Sequence, residues 1–282
     1  MDRDFAARVR SMIRTHVNDV LSEYRVAGRW SGNEGVAQVS EKTPHDLVSE
    51  IDTRIGTELS GALTRLLPGS SAWTEDGEGI ADDSSTGTAR WIVDPIDGTA
   101  NLVMGNTHYC TSVALEHEGA LVAGFVYHPP TGHTYWTVNA GESYLDEVVL
   151  HPSERAEVGV AYVVFGFSAN LANIRRYHRE WTPAFENARK AIGLLAPALN
   201  ICTVAQGSVD LFVDFGCSME GQSAAGLILR NAGGTVADYN GAPWDNRRVG
   251  IYASNGRLKP VDLVSTRSIN WINDKRSESR DP

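Results

Sequence analysis

The chain has 282 residues, 42% of them hydrophobic, and a formal net charge of -10. That size suffices to bury roughly 75% of the surface an unfolded chain exposes, the excess of acid argues against nonspecific nucleic-acid binding, and the absence of any apolar run of about 18 residues argues against a membrane-spanning helix. Cys110, Cys202 and Cys217 lack metal-type spacing and read as small buried apolar residues of a reduced protein, and the charged start Met1-Asp2-Arg3-Asp4 lacks the apolar core of a secretion signal, so the cytoplasm is the expected compartment.

Phe5, Val9, Met12, Ile13, Val17, Val20, Leu21 and Tyr24 recur at helical spacing and predict an amphipathic first helix, ended by a polar stretch with Gly28, Gly32 and Gly35. Leu47, Ile51, Ile55, Leu59, Leu63 and Leu66 predict a second helix, closed by Pro68-Gly69, whose apolar face leaves Asp46 and Asp52 on other faces. Arg90-Trp91-Ile92-Val93 then reads as a short apolar strand, expected to stop at Asp94 because Pro95 has no amide hydrogen and a fixed φ. Residues 109–138 change to strand patterning, with a turn at Glu118-Gly119, and predict an antiparallel meander. Further strands are predicted over 158–165, 211–215 and 235–237, a buried helix over 199–205, and a helix over 224–232 stopped by Gly233-Gly234. Helices and mostly antiparallel strands alternating in blocks predict an α+β layered sandwich. With no internal repeat or low-complexity linker, one domain is expected over residues 1–276, in two tightly packed halves meeting near 145–155, followed by a polar tail over 277–282.

The residues that carry chemistry follow the strand at Trp91-Ile92-Val93: Asp94-Pro95-Ile96-Asp97-Gly98-Thr99-Ala100-Asn101. Two carboxylates in one tight turn can converge on a single point, and the carbonyls between them are not committed to a ladder. Oxygen-only donors of this kind suit Mg²⁺, which keeps several waters. Gly98 permits close backbone approach, and the Thr99 hydroxyl and nearby amides can meet an anion. Taken alone, Asp-Pro and Asp-Gly are also common turn dipeptides.

The whole string after its Trp-Ile-Val strand resembles the signature of the inositol monophosphatase family, Mg²⁺-dependent, lithium-sensitive phosphomonoesterases with a layered αβαβα sandwich fold. The resemblance implies that Asp94 bridges two metals, that the Ile96 carbonyl adds a ligand, that Asp97 serves the second metal, and that Thr99 positions the attacking water. Trp73-Thr74-Glu75-Asp76 falls where the family carries a Glu-Glu pair, which makes Glu75 a third ligand and a second group orienting the water. Asp52 matches the aspartate of the family's Val-Thr-x-x-Asp segment, a remote base or orienter, and Lys42 matches a lysine near the metals. Among substrate contacts, the resemblance points to Gly98, Thr99, Asp214 and Ala196.

Two stretches depart from the family pattern. Counting back without a gap from Asn231-Ala232-Gly233-Gly234 places Glu220 and Gly221 on the family's Trp-Asp pair, so the aspartate that completes the second metal site is absent, and Glu220, one residue early but longer, is the candidate replacement. The family's Gly-Ser/Thr-Ala-Ala strip falls on Leu195-Ala196-Pro197-Ala198, which removes a backbone donor and a flexible glycine. The implied activity is hydrolysis of a small-molecule phosphate monoester, such as a sugar, cyclitol, amino-alcohol or nucleotide phosphate, with inositol phosphate not the first choice. Two or three Mg²⁺ ions, replaceable by Mn²⁺, inhibition by Li⁺, a homodimer, and no nucleic-acid or membrane partner complete the expectation. The alternative is a catalytically impaired member acting as a metal- or phosphate-binding regulatory protein, or one repurposed for specialised biosynthesis.

Overall fold

The computed structural model describes residues 1–26, 39–43, 46–74, 88–166, 171–238 and 241–259. The first half carries α1 (Arg3–Val26), β1 (Val39–Thr43), β2 (Asp46–Ser49), α2 (Glu50–Leu66), β3 (Ser71–Thr74), β4 (Ala89–Asp97), α3 (Thr99–Val103), β5 (Cys110–His117), β6 (Ala120–His128), β7 (His133–Val138), β8 (Ser143–Leu145) and β9 (Val148–Val149). The second carries a 3₁₀ turn (Val158–Val160), β10 (Tyr162–Phe165), α4 (Leu171–Glu180), α5 (Thr182–Asn187), β11 (Lys190–Gly193), α6 (Pro197–Ala205), β12 (Leu211–Asp214), α7 (Met219–Asn231), β13 (Thr235–Ala237) and β14 (Ile251–Ser254). β3 to β9 form a seven-stranded sheet in chain order, antiparallel apart from the β3–β4 pair, while a five-stranded mixed sheet runs β11-β10-β12-β14-β13.

Side-chain alternation along the strands sorts the apolar residues into three buried layers. Trp91, Val93, Val113, Leu115 and Phe125 meet Val9, Ile13 and Val17 of α1 and Ile55 and Leu59 of α2 on one face of the seven-stranded sheet. The residues between them, Ile92, Ala114 and Val126, meet α6 and α7, which also pack on Phe212 and Ala253 of the second sheet. On the far face of that sheet, Val163, Val213 and Tyr252 pack with Trp181, which precedes α5, and with Ala184 of α5. The order is therefore helix, sheet, helix, sheet, helix, as the α+β sandwich reading expects, and each fully buried Val, Leu, Ile or Phe contributes about 1.5–3 kcal/mol. All three cysteines are free and buried. Among the described residues, no helix is long and apolar enough to cross a membrane.

Several predicted boundaries move. Residues 46–49 pair as β2 with β1, so Leu47 belongs to a strand and α2 begins only at Glu50. Asp52 is not on an outer face: with Gly56 and Ser60 it forms a second buried stripe of α2, at four-residue spacing, beside the Ile51, Ile55 and Leu59 stripe. β4 does not stop at Asp94 but bulges and pairs again at Asp97. Residues 158–160 form a 3₁₀ turn ahead of β10 rather than part of a strand. α7 starts five residues before the predicted position because the Ser218 side chain caps it, accepting from the Gly221 amide at 3.3 Å. Gly28, Gly32, Gly35 and the 277–282 tail lie outside the described residues.

Candidate active site

Position in a strand normally sends residues three apart to opposite faces of a sheet. In β4 the partner of Asp94 is Ser112 and that of Asp97 is Cys110, so one extra residue is inserted on the β4 side between them. The bulge shifts the phase by one and turns both carboxylates toward the α6–α7 layer. Ile96 anchors the bulge in the α1–α2 layer, where it is 1% exposed, and Pro95 lies against α2 at Gly56, where an added Cβ would sit 3.1 Å from Pro95 Cγ. The Pro95 carbonyl accepts from the Thr111 hydroxyl at 2.8 Å and the Ile96 carbonyl from Thr99 at 3.0 Å. These contacts answer the expectation that the carbonyls of the turn are free of a ladder.

Thr99 joins two other predicted residues. Its Oγ1 lies 2.8 Å from Asp52 Oδ1 as well as 3.0 Å from the Ile96 carbonyl, so one hydroxyl proton faces two acceptors and the oxygen keeps a lone pair for a further donor. The burial of Asp52 is what lets this pair form. Gly98 has φ +95° and abuts Ala196, itself left-handed at φ +81° at the start of α6: a Cβ on Gly98 would sit 2.9 Å from Ala196 Cβ. The Ala198 amide donates to Asp97 Oδ2 at 2.7 Å, which fixes the carboxylate to the first turn of α6.

Asp94, Asp97, Asp214 and Glu220 are all buried, and their charges meet at Cys217. Burial pushes the Cys217 thiol well above its ordinary value, and these four carboxylates push it further. Cys110 is raised in the same way, by burial first and then by Asp97, with smaller effects from Cys202 and Asp94. Asp214 ends β12, with Oδ1 accepting from the Gly216 amide at 2.7 Å and with Gly166 so close that a Cβ there would overlap its carboxylate. Glu220 Oε1 accepts from Trp73 Nε1 at 2.6 Å. At Gly221 an added Cβ would stand 3.6 Å from both Cys217 Sγ and Ser218 Oγ and 3.7 Å from Pro197 Cβ, so the position has room for a side chain.

The donor set fits a hard divalent cation. It consists of oxygens alone, from Asp94, Asp97 and the Ile96 carbonyl, and the two carboxylates are each 4% exposed, where a positive partner offsets a large desolvation cost. Among the described residues, no group of three or more Asp, Glu, His or Cys side chains is placed to hold an ion. Glu75 and the side chain of Lys42 lie outside the described residues. Sequence reasoning missed the frame around this site. Asn101 Nδ2 donates to the His108 carbonyl at 2.5 Å, the His108 ring meets Asn200 Oδ1 at 2.8 Å, and Asn200 Nδ2 donates to the Leu194 carbonyl at 3.0 Å, tying the α3–β5 loop to the approach to α6. Asn101, as part of the signature string, was the available signal.

Known proteins resemble this chain in sequence and in fold. The chain is 29% identical to inositol-1-monophosphatase of Mesorhizobium japonicum over 82% of its length and 86% of that protein. It is 28% identical to the Nus factor SuhB of Pseudomonas aeruginosa, over 73% of its length and 78% of the relative's. In three dimensions it resembles the extragenic suppressor protein suhB of Bartonella henselae, with a TM-score of 0.81 and 25% identity over 91% of this chain and 96% of the other. The model of the inositol monophosphatase family matches residues 15–270, and the chain belongs to that family.

Proposed function

We propose that the protein hydrolyses a small-molecule phosphate monoester with the help of divalent cations, Mg²⁺ in the first place and Mn²⁺ as a substitute, with Li⁺ as an inhibitor. The observation that carries this reading is the β4 bulge, which sets Asp94 and Asp97 on one buried face beside the Thr99–Asp52 pair. Glu75, Asp94, Asp97 and the Ile96 carbonyl are the proposed metal donors. A hard divalent cation there would neutralise phosphate oxygens and lower the pKa of a water. Thr99, with its proton drawn to Asp52 and Ile96, accepts a hydrogen bond from that water and aims its lone pair at phosphorus, while Glu75 takes the other role of orientation. Positioning and charge stabilisation dominate phosphoryl transfer, so the mechanism requires no protein nucleophile.

For the substrate, the strip at Leu195-Ala196-Pro197-Ala198 offers few backbone donors, because Pro197 has none and the Ala198 amide is given to Asp97. That disfavours inositol phosphate, whereas Asp214 provides an acidic contact for a hydroxyl or amino group. A homodimer in the cytoplasm is the proposed working form. The second reading, a regulatory protein that binds metal or phosphate, draws on Gly221 in the aspartate position and on relatives named as Nus factors. Phosphate release from sugar, inositol, amino-alcohol and nucleotide monophosphates, with and without Mg²⁺, separates the two: Mg²⁺-dependent release from at least one favours the enzyme, and none from any, with folding intact, favours the regulator.

Two variants probe the site. Thr99→Val is expected to lower kcat about 100-fold, with Thr99→Ser keeping most of the activity, since only the hydroxyl is required; equal rates for Thr99→Val and the parent in steady-state assays would remove Thr99 from the mechanism. Gly221→Asp places a further carboxylate at a buried position in the first turn of α7, in contact with Cys217, where the charges of Asp94, Asp97, Asp214 and Glu220 already converge. Without metal it is expected to lower thermal stability, because a buried like charge outweighs the gain from replacing glycine, and to tighten Mn²⁺ binding severalfold in a calorimetric titration. Weaker binding would contradict the placement of the second metal near α7.

A further inference from the structure

Glu220 lies where the metal reading needs a ligand, yet its geometry assigns it other work. The residue is 7% exposed in the first turn of α7, and its Oε1 accepts from Trp73 Nε1 at 2.6 Å, a charge-assisted contact that spans 147 residues of sequence. Its backbone is fixed too, because the Ser112 hydroxyl of β5 donates to the Glu220 carbonyl at 3.2 Å. Trp73 is the third residue of β3, paired with Ile92 of β4, and stands two residues ahead of Glu75 in the chain. Trp73 and Glu220 therefore tie three elements together: β3, which leads to Glu75; β5, which faces the acidic turn; and α7, which carries Gly221. Counted without a gap, Glu220 and Gly221 fall on the family's Trp-Asp pair, and what the structure has there is a hydrogen bond from the β3 indole to the carboxylate on α7.

We infer that Glu220 is a positioning residue: it accepts the Trp73 indole and thereby holds the β3 end from which Glu75 departs, rather than replacing the absent aspartate as a metal ligand. The inference rests on the proposed metal site and refines it. A hydrogen-bond acceptor and a metal ligand respond differently to loss of charge. Gln at 220 keeps a carbonyl oxygen for the indole and gives up the negative charge that a hard cation prefers. Phe at 73 removes the indole donor and leaves Glu220 charged.

The test is Mn²⁺ titration of the metal-free full chain, followed by electron paramagnetic resonance, for the parent and for Glu220→Gln, Glu220→Ala, Trp73→Phe and the Trp73→Phe/Glu220→Ala double variant. The expected result is that Glu220→Gln binds Mn²⁺ within about 2-fold of the parent, that Trp73→Phe and Glu220→Ala weaken binding to a similar extent, about 5- to 10-fold, and that the double variant is no worse than either. Glu220→Gln as weak as Glu220→Ala, with Trp73→Phe like the parent, would make Glu220 a ligand and overturn the inference while leaving the metal site standing. A parent that binds no Mn²⁺ would overturn the metal site and the inference with it. If Glu220→Ala fails to fold, as judged by circular dichroism, Glu220→Gln against Trp73→Phe still decides.

Discussion

Asp97→Asn is expected to cut metal-dependent phosphate release on the order of a thousandfold, about 4 kcal/mol of lost transition-state stabilisation, with little change in fold. The separation of the two effects comes from the contacts of Asp97. Its Oδ2 accepts from the Ala198 amide at 2.7 Å, and the side-chain carbonyl of asparagine can accept the same bond, so α6 stays anchored. What the substitution removes is the charge, and charge is what a buried oxygen site offers a hard cation. Initial rates of phosphate release, beside thermal unfolding curves, check this. Rates equal to the parent would sink the proposed role of Asp97, and collapse of the fold would show that the charge is structural.

The second large effect is expected where α7 packs on the seven-stranded sheet. Gly124 of β6 faces α7 so closely that a Cβ would lie 2.6 Å from the Ala224 carbonyl oxygen and 3.1 Å from Ala224 Cα. Those atoms are helix backbone and cannot rotate out of the way. Gly124→Ala must push α7 from the seven-stranded sheet, at a cost of about 3 kcal/mol, which lowers the melting temperature by roughly 5–10 °C. Because α7 carries Glu220 and Gly221, the same shift should weaken Mn²⁺ binding. Melting followed by circular dichroism gives the direct answer, and an unchanged midpoint would mean that the layers slide past one another without strain.

The sequence made the layered plan legible because apolar residues recur cleanly: the stripe through Val9, Ile13 and Val17 is buried throughout, as the helical spacing requires. It failed where one residue changes the phase. Pro95 read as a strand terminator, whereas the ladder takes it up in a bulge, held by Ile96 in the core and by the Thr111 hydroxyl on the Pro95 carbonyl. That bulge is the step that makes an Asp-x-x-Asp spacing useful in a strand at all. Asp52 was misplaced for a related reason: its stripe partners Gly56 and Ser60 carry little hydrophobic signal, so a periodicity built on apolar residues passes over a buried polar face. β14, an interior strand of the second sheet, went unread because all four residues Ile251–Ser254 are buried, so the run lacks the apolar–polar alternation of a half-exposed strand. The Trp73–Glu220 bond joins residues 147 positions apart, and no local pattern encodes such a contact.

In the proposed metal site the bulge delivers Asp94 and Asp97 to a common divalent cation. A crystal soaked in Mn²⁺ and measured for anomalous scattering tests it directly. An anomalous peak is expected within coordination distance, about 2.0–2.3 Å, of carboxylate oxygens from both Asp94 and Asp97, with Glu220 turned to Trp73. Density at saturating Mn²⁺ with no peak beside either aspartate would contradict it.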